Sequence, residues 1–189
     1  MKTARVRYES TLKTIAEGEK KASELKQKEE AELEKKQQSE IRTVKLANLH
    51  DLFSKEKDPN KLIGMSQEMA ALQTEGLSEV NPEARNLHRN LIVKQTQQKL
   101  KDRLGDIAEP QAQEEFKHAK VTYEMHPQRS SALENVKKAE STLNAIRSGN
   151  EDIIAKFVGI ASVILKDQTV MEARLREIEG RQACAPGLN

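Results

Sequence analysis

Along residues 2–54 the apolar side chains Tyr8, Leu12, Ile15, Ala22, Leu25, Leu33, Ile41 and Val44 recur at helical spacing, with no proline and one glycine, Gly18. The pattern predicts one helix of roughly 50 residues, near 75–80 Å long at about 1.5 Å per residue. Its apolar stripe is thin: between Lys26 and Glu40 only Ala31 and Leu33 are apolar. Four pairs place Glu four residues ahead of Lys: Glu9–Lys13, Glu17–Lys21, Glu24–Lys28 and Glu32–Lys36. Each supports the helix by about 0.2–0.5 kcal/mol. A helix held this way is expected to be solvated over much of its circumference.

Pro59 ends that run, because the residue before a proline is pushed out of the helical region. A short helix is predicted at about 61–75, with Leu62, Met65, Met69 and Leu72 on one face and Gly76 closing it. Asn81 followed by Pro82 is a start signal. It opens a helix to about Leu104, with Gly105 as its stop. Pro110 then opens another, to about Met125, ended by His126-Pro127. Ser131 and Glu134 have the spacing of a capping box.

From Val136 onward, steps of three and four residues give Val136, Ala139, Leu143, Ile146, Asn150, Ile153, Phe157, Ile160, Ile164, Asp167, Met171, Arg174 and Ile178, ten of the thirteen apolar. The phase is unbroken across Ser148-Gly149-Asn150. It favours one long helix over about 131–179, despite the roughly 1 kcal/mol that glycine costs in a helix interior. A tight turn, with Gly149 as stop and Asn150 as the next cap, is the alternative. Asn150 is then either a register-setting polar residue in a packed seam or a cap. Asp167 and Arg174 mark where a packed seam ends, since burying a charge costs several kcal/mol. Gly180 ends the helix.

The expected fold is therefore all-α. A long antiparallel helical hairpin or coiled coil is flanked by a small helical bundle that the middle segment forms. Residues 1–54 make the charged first helix, 55–130 the short-helix bundle, 131–180 the apolar-striped helix and 181–189 a flexible tail. Within 153–165 a second stripe runs through Ile154, Val158, Ala161 and Leu165. That segment is apolar over more than half its circumference, so either the middle helices or another chain must cover it. The candidate protein interface is accordingly Ile153, Ile154, Phe157, Val158, Ile160, Ala161, Ile164, Leu165, Met171 and Ile178.

Composition sharpens this picture. Of the 189 residues 36% are hydrophobic and 33% charged, with a mean hydropathy of −0.77, and the aromatics are Tyr8, Phe53, Phe116, Tyr123 and Phe157 alone. Such material suits long helices better than a thick core. Charge is balanced, 32 basic against 30 acidic, and evenly spread: residues 1–60 hold 14 and 12 and the remainder 18 and 18. Binding to nucleic acid through Arg5, Arg7, Lys20, Lys21, Lys35 and Lys36 is a minor expectation, with no cationic block and no aromatic stacking partners.

Catalytic and cofactor motifs are missing. There is no phosphate-cradling glycine loop, no HExxH, no G-x-S-x-G and no paired-cysteine metal motif. Glu115 and His118 lie three apart, a di-iron spacing, but the second such pair and the two further glutamates are lacking. Met65, Met69 and Met171 read as core filling before an adaptable binding surface. Cys184 is the one cysteine, so no internal disulfide forms, which suits a reducing compartment. The charged start lacks an apolar signal core. Ile153–Leu165, with Lys156 inside it, is shorter than the roughly 20 residues of a membrane span.

The sequence points to a non-enzymatic helical interaction protein with no catalytic, metal or cofactor site, no small-molecule substrate and no Sec-type export. It is expected in the cytoplasm, another reducing compartment, or a protein assembly. It would self-associate through the 153–178 stripe as a structural or assembly component. The alternative is a monomeric adaptor, chaperone or effector that captures a partner helix.

Overall fold

A computed structural model describes residues 2–77 and 81–183, and of residues 2–16, 179 and 181–183 it describes the backbone alone. The side chains of Tyr8, Leu12, Ile15, Arg5 and Arg7, and the segment holding Cys184, lie outside the described parts. Among the described residues the chain is all-α, with no strand. The helices are α1 (Lys2–Lys55), α2 (Pro59–Glu75), α3 (Pro82–Met125), α4 (Ser130–Arg147), α5 (Glu151–Val158), α6 (Val163–Lys166) and α7 (Gln168–Ala183). They fall into two compact units that meet at Lys45 and Leu46.

The first unit is a single stretch of α1. Every side chain from Glu17 to Ile41 is exposed. This is the solvated helix that the thin apolar pattern predicts.

The second unit is built on α3. The side chains of Val93, Thr96, Gln97, Leu100, Leu104, Ala108 and Ala112 are buried along one face of it. From Leu100 onward they recur every four residues, which keeps one helical face in contact for three turns. The connection at 126–129 reverses the chain, so α4 runs antiparallel along the C-terminal part of α3. Ala119, Thr122 and Ala132 line one groove near the turn, and Arg147 Nε reaches Glu109 Oε1 at 2.7 Å at the far end. α5 then lies over Gly105, where a Cβ would stand 3.8 Å from Ile154 Cδ1. Phe53, Leu62, Met69, Leu100, Leu104, Leu143, Ile146, Ile154 and Leu165 close one core, with Leu46 and Leu49 at its edge. Ala70, Ala71, Val93, Met171 and Leu175 close a second where α7 meets α2 and α3.

Several starts match their sequence signals. Asp58 accepts a bond from Asn60 N at 2.9 Å ahead of Pro59, and Asn81 accepts one from Glu83 N at 3.0 Å ahead of Pro82. Other expectations are corrected. Gly105 does not stop a helix and Pro110 does not open one, since both lie inside α3. A proline within a helix costs about 3 kcal/mol. Here Pro110 and Asp106 are exposed, so water can take the carbonyl of Asp106 that the proline nitrogen leaves free. The buried row on the other side carries the helix through. The Ser131 capping box is not made: α4 begins at Ser130, with Arg129 at the cap position and no side-chain cap bond. Gly180 lies within α7.

The single helix over 131–179 does not form. Gly149 has φ +75° and closes α4 in a paired motif, with Asn150 N donating to Ala145 O at 2.9 Å and Gly149 N to Ile146 O at 2.9 Å. Asn150 is the cap of α5, its side chain accepting from Ile153 N at 3.1 Å, and not a residue of a packed seam. Gly159, at φ +74°, ends α5 in the same way, with Ile160 N donating to Ala155 O at 2.9 Å. The helix expected to pair with α1 along its length is thus divided into four. The longest antiparallel pairing in the second unit is α3 with α4.

Candidate protein interface

The stretch chosen from the sequence as an interface supplies the core of the second unit. Ile154, Leu165 and Met171 are buried. Ile153, Phe157, Val158, Ile160 and Ile164 are half-buried against the first core, and Ile178 against the second. Ala161 is exposed. Apart from Ala161, both stripes of 153–165 find cover inside the chain, since two sharp turns fold the segment over α3. Met65 and Met69 pack in the first core, as filling, and Met171 in the second.

Polar groups lock that segment down. Gln97, 5% exposed, donates from Nε2 to Leu165 O at 3.0 Å and to Ile164 O at 3.3 Å. It so serves carbonyls that the four-residue α6 leaves without helical partners. Its Oε1 is buried and without a partner. Arg103 Nη2 donates to Glu56 O at 3.0 Å, just past the end of α1. Neither role was visible in the sequence, where both residues belong to a polar run. A glutamine at position 97, in phase with Val93, Leu100 and Leu104, was the available signal for the first.

Three carboxyls are held below the usual range. The Lys166 ammonium and then the Ser162 hydroxyl do this for Asp152. The Thr169 hydroxyl and backbone N–H do it for Asp167, and the N–H groups of Asp58 and Lys57 for Glu56. Burial, with the nearby Lys99 charge second, lowers His50. All three carboxyls sit at helix ends: Asp152 lies in the first turn of α5, Asp167 caps α7, accepting from Thr169 N at 2.8 Å, and Glu56 follows the last turn of α1.

Several open grooves carry charged side chains. One of about 300 Å³ is lined by Lys101, Asp102, Asp106, Glu109, Arg147 and Ile154. Of these, Lys101 Nζ meets Glu151 at 3.2 Å and Arg147 Nε meets Glu109 at 2.7 Å. Glu115 and His118 are both exposed on the surface of α3. Among the described residues no group of three or more His, Cys, Asp or Glu side chains is placed to hold a metal ion. No helix among them is long and apolar enough to cross a membrane.

Apart from Val163, the large apolar side chains that remain uncovered lie elsewhere. α1 carries Leu25, Leu33, Ile41, Val44 and Leu52, each 52–61% exposed. α3 carries Leu87 and Leu91 near its start and Val121 and Met125 near its end. Scattered exposed leucines are ordinary. Those of α1 differ because Leu33, Ile41, Val44 and Leu52 share one face of a single helix over several turns.

No family model, curated protein sequence or solved structure matches this chain.

Proposed function

We propose that the chain is a non-enzymatic helical interaction protein, a self-associating structural or assembly component of a larger protein complex. The observation that supports this reading is α1. It is a 54-residue helix whose side chains from Glu17 to Ile41 are all in solvent, yet it keeps large apolar residues in helical phase. Helix propensity and charge pairs hold such a helix only weakly, and most helical stability in proteins comes from packing an apolar face. A second helix laid on that face would supply it.

The seam belongs on α1, because the 153–178 segment is occupied within the chain. Lys101 with Glu151 and Arg147 with Glu109 form surface ion pairs, which fits a scaffold better than a reaction centre. Light scattering across a series of protein concentrations tests the reading. The expected result is a mass that rises from that of the monomer to a defined multiple of it. A monomer at every concentration overturns self-association and leaves the adaptor reading, in which α1 docks on a different protein.

A further inference from the structure

Resting on that reading, we infer that α1 pairs with α1 of a second copy in antiparallel register, about a two-fold axis that passes between Arg42 and Thr43. The series Leu33, Gln37, Ile41, Val44, Asn48 and Leu52 advances by four, four, three, four and four residues. All six side chains are exposed, the four apolar ones by 52–59%. Leu33 to Val44, and Ile41 to Leu52, each span 11 residues in three turns. That is about 3.67 residues per turn, close enough to the straight-helix value of about 3.6 that the stripe stays on one side with little supercoiling. Leu46, Leu49 and Phe53 turn to the opposite side, into the first core, so the stripe is not needed there.

The series is its own mirror image. Reversed about the point between residues 42 and 43, Leu33 falls opposite Leu52, Ile41 opposite Val44, and Gln37 opposite Asn48. A two-fold interface requires this self-complementarity, since each residue must suit its counterpart in both directions. The amide layer suits itself as well: each side chain has an acceptor oxygen and a donor NH₂ group. A polar layer of this kind in an apolar seam specifies register.

Charge decides the direction. A parallel pair in register would match apolar to apolar equally well, but it would set Glu30 against Glu30 and Lys55 against Lys55 at the two ends of the stripe. The antiparallel pair sets Glu30 against Lys55 at both ends. Like charges across an interface disfavour the wrong partner and opposite charges favour the right one. Lys55 already holds Asp51 at 2.7 Å, and both are well exposed. Its ammonium has three donors, so it can serve both carboxylates. Antiparallel helices also set the positive end of each helix dipole toward the negative end of its neighbour.

The test uses full-length chains carrying Cys184→Ser, with Gln37→Cys in one variant and Asn48→Cys in the other. Each alone, and an equal mixture allowed to exchange under reducing conditions, is oxidised mildly and run without reductant, beside light scattering of the parent chain. The expected result is a covalent dimer from the mixture and none from either variant alone. In the antiparallel register like cysteines stand 11 residues apart along the axis, about 16 Å at 1.5 Å per residue, beyond the reach of a disulfide. Ile41→Glu is expected to return the parent to monomer mass with its helical circular dichroism retained, because Ile41 is 56% exposed. Cross-linking of each variant alone would show a parallel pair, and a multimer without any cross-link would place the seam on another surface. Either result overturns this inference and leaves self-association standing. A monomer at all concentrations overturns both.

Discussion

Replacing Gly149 with Ala adds one methyl group, and its effect on stability depends on the turn that the structure places there. Gly149 has φ +75°, and nothing stands within 4 Å of where its Cβ would lie. The substitution therefore meets no packing clash, and the whole cost is conformational. An L-residue in the left-handed region costs roughly 1–2 kcal/mol. Alanine recovers about 0.4–1 kcal/mol of this by narrowing the unfolded ensemble. The net expectation is a loss of about 1 kcal/mol. With a urea dependence of about 2 kcal/mol per molar, such a loss lowers the unfolding midpoint by about 0.5 M. Gly105→Ala is the internal control. Gly105 lies within α3, and its new Cβ would meet Ile154 Cδ1 at an ordinary 3.8 Å. The same methyl should there stabilise by about 0.5–1 kcal/mol. Urea denaturation of both variants beside the parent, followed by circular dichroism at one fixed protein concentration, reads the two signs together. Concentration must be fixed because self-association would shift every midpoint. A Gly149→Ala chain as stable as its parent, or more so, would refute the turn and restore a continuous helix through residue 149.

Ile154→Ala should destabilise the second unit by about 2–5 kcal/mol, since Ile154 is 1% exposed where α5 meets α3; thermal melts would show it, and a change within about 0.5 kcal/mol would remove Ile154 from the core. Acid should also destabilise the fold. Glu56, Asp152 and Asp167 have lowered pKa values, so their contribution is complete above the unfolded carboxylate range and is lost as pH falls through the lower folded values. His50 is lowered too, so the unfolded chain takes up its proton first as pH drops below about 6.5, which adds loss in the same direction. Urea midpoints measured from neutral pH downward should fall steadily, and a midpoint that rises on acidification would contradict these assignments.

The helical class, the long solvated first helix, its end before Pro59 and the start at Pro82 were determined by the sequence itself. Each rests on local physics: side-chain periodicity, a fixed proline φ, and a cap side chain within reach of the next N–H groups. The fate of Gly105, Pro110 and Gly149 was decided only by the tertiary structure. Gly105 and Pro110 read locally as punctuation, yet the buried row Leu100, Leu104, Ala108 and Ala112 packs beneath them, and burial outweighs the cost of an imperfect helix. At Gly149 the error was the reverse. An unbroken apolar phase suggests an unbroken helix, but α4 and α5 each keep an apolar side because each lies against α3. Matching phase across the Ser148–Asn150 turn follows from that shared neighbour and says nothing of whether the chain is straight between them. The same holds for Ile153 to Leu165. Periodicity shows that a side chain must be covered, whereas what covers it depends on where distant parts of the chain are brought together.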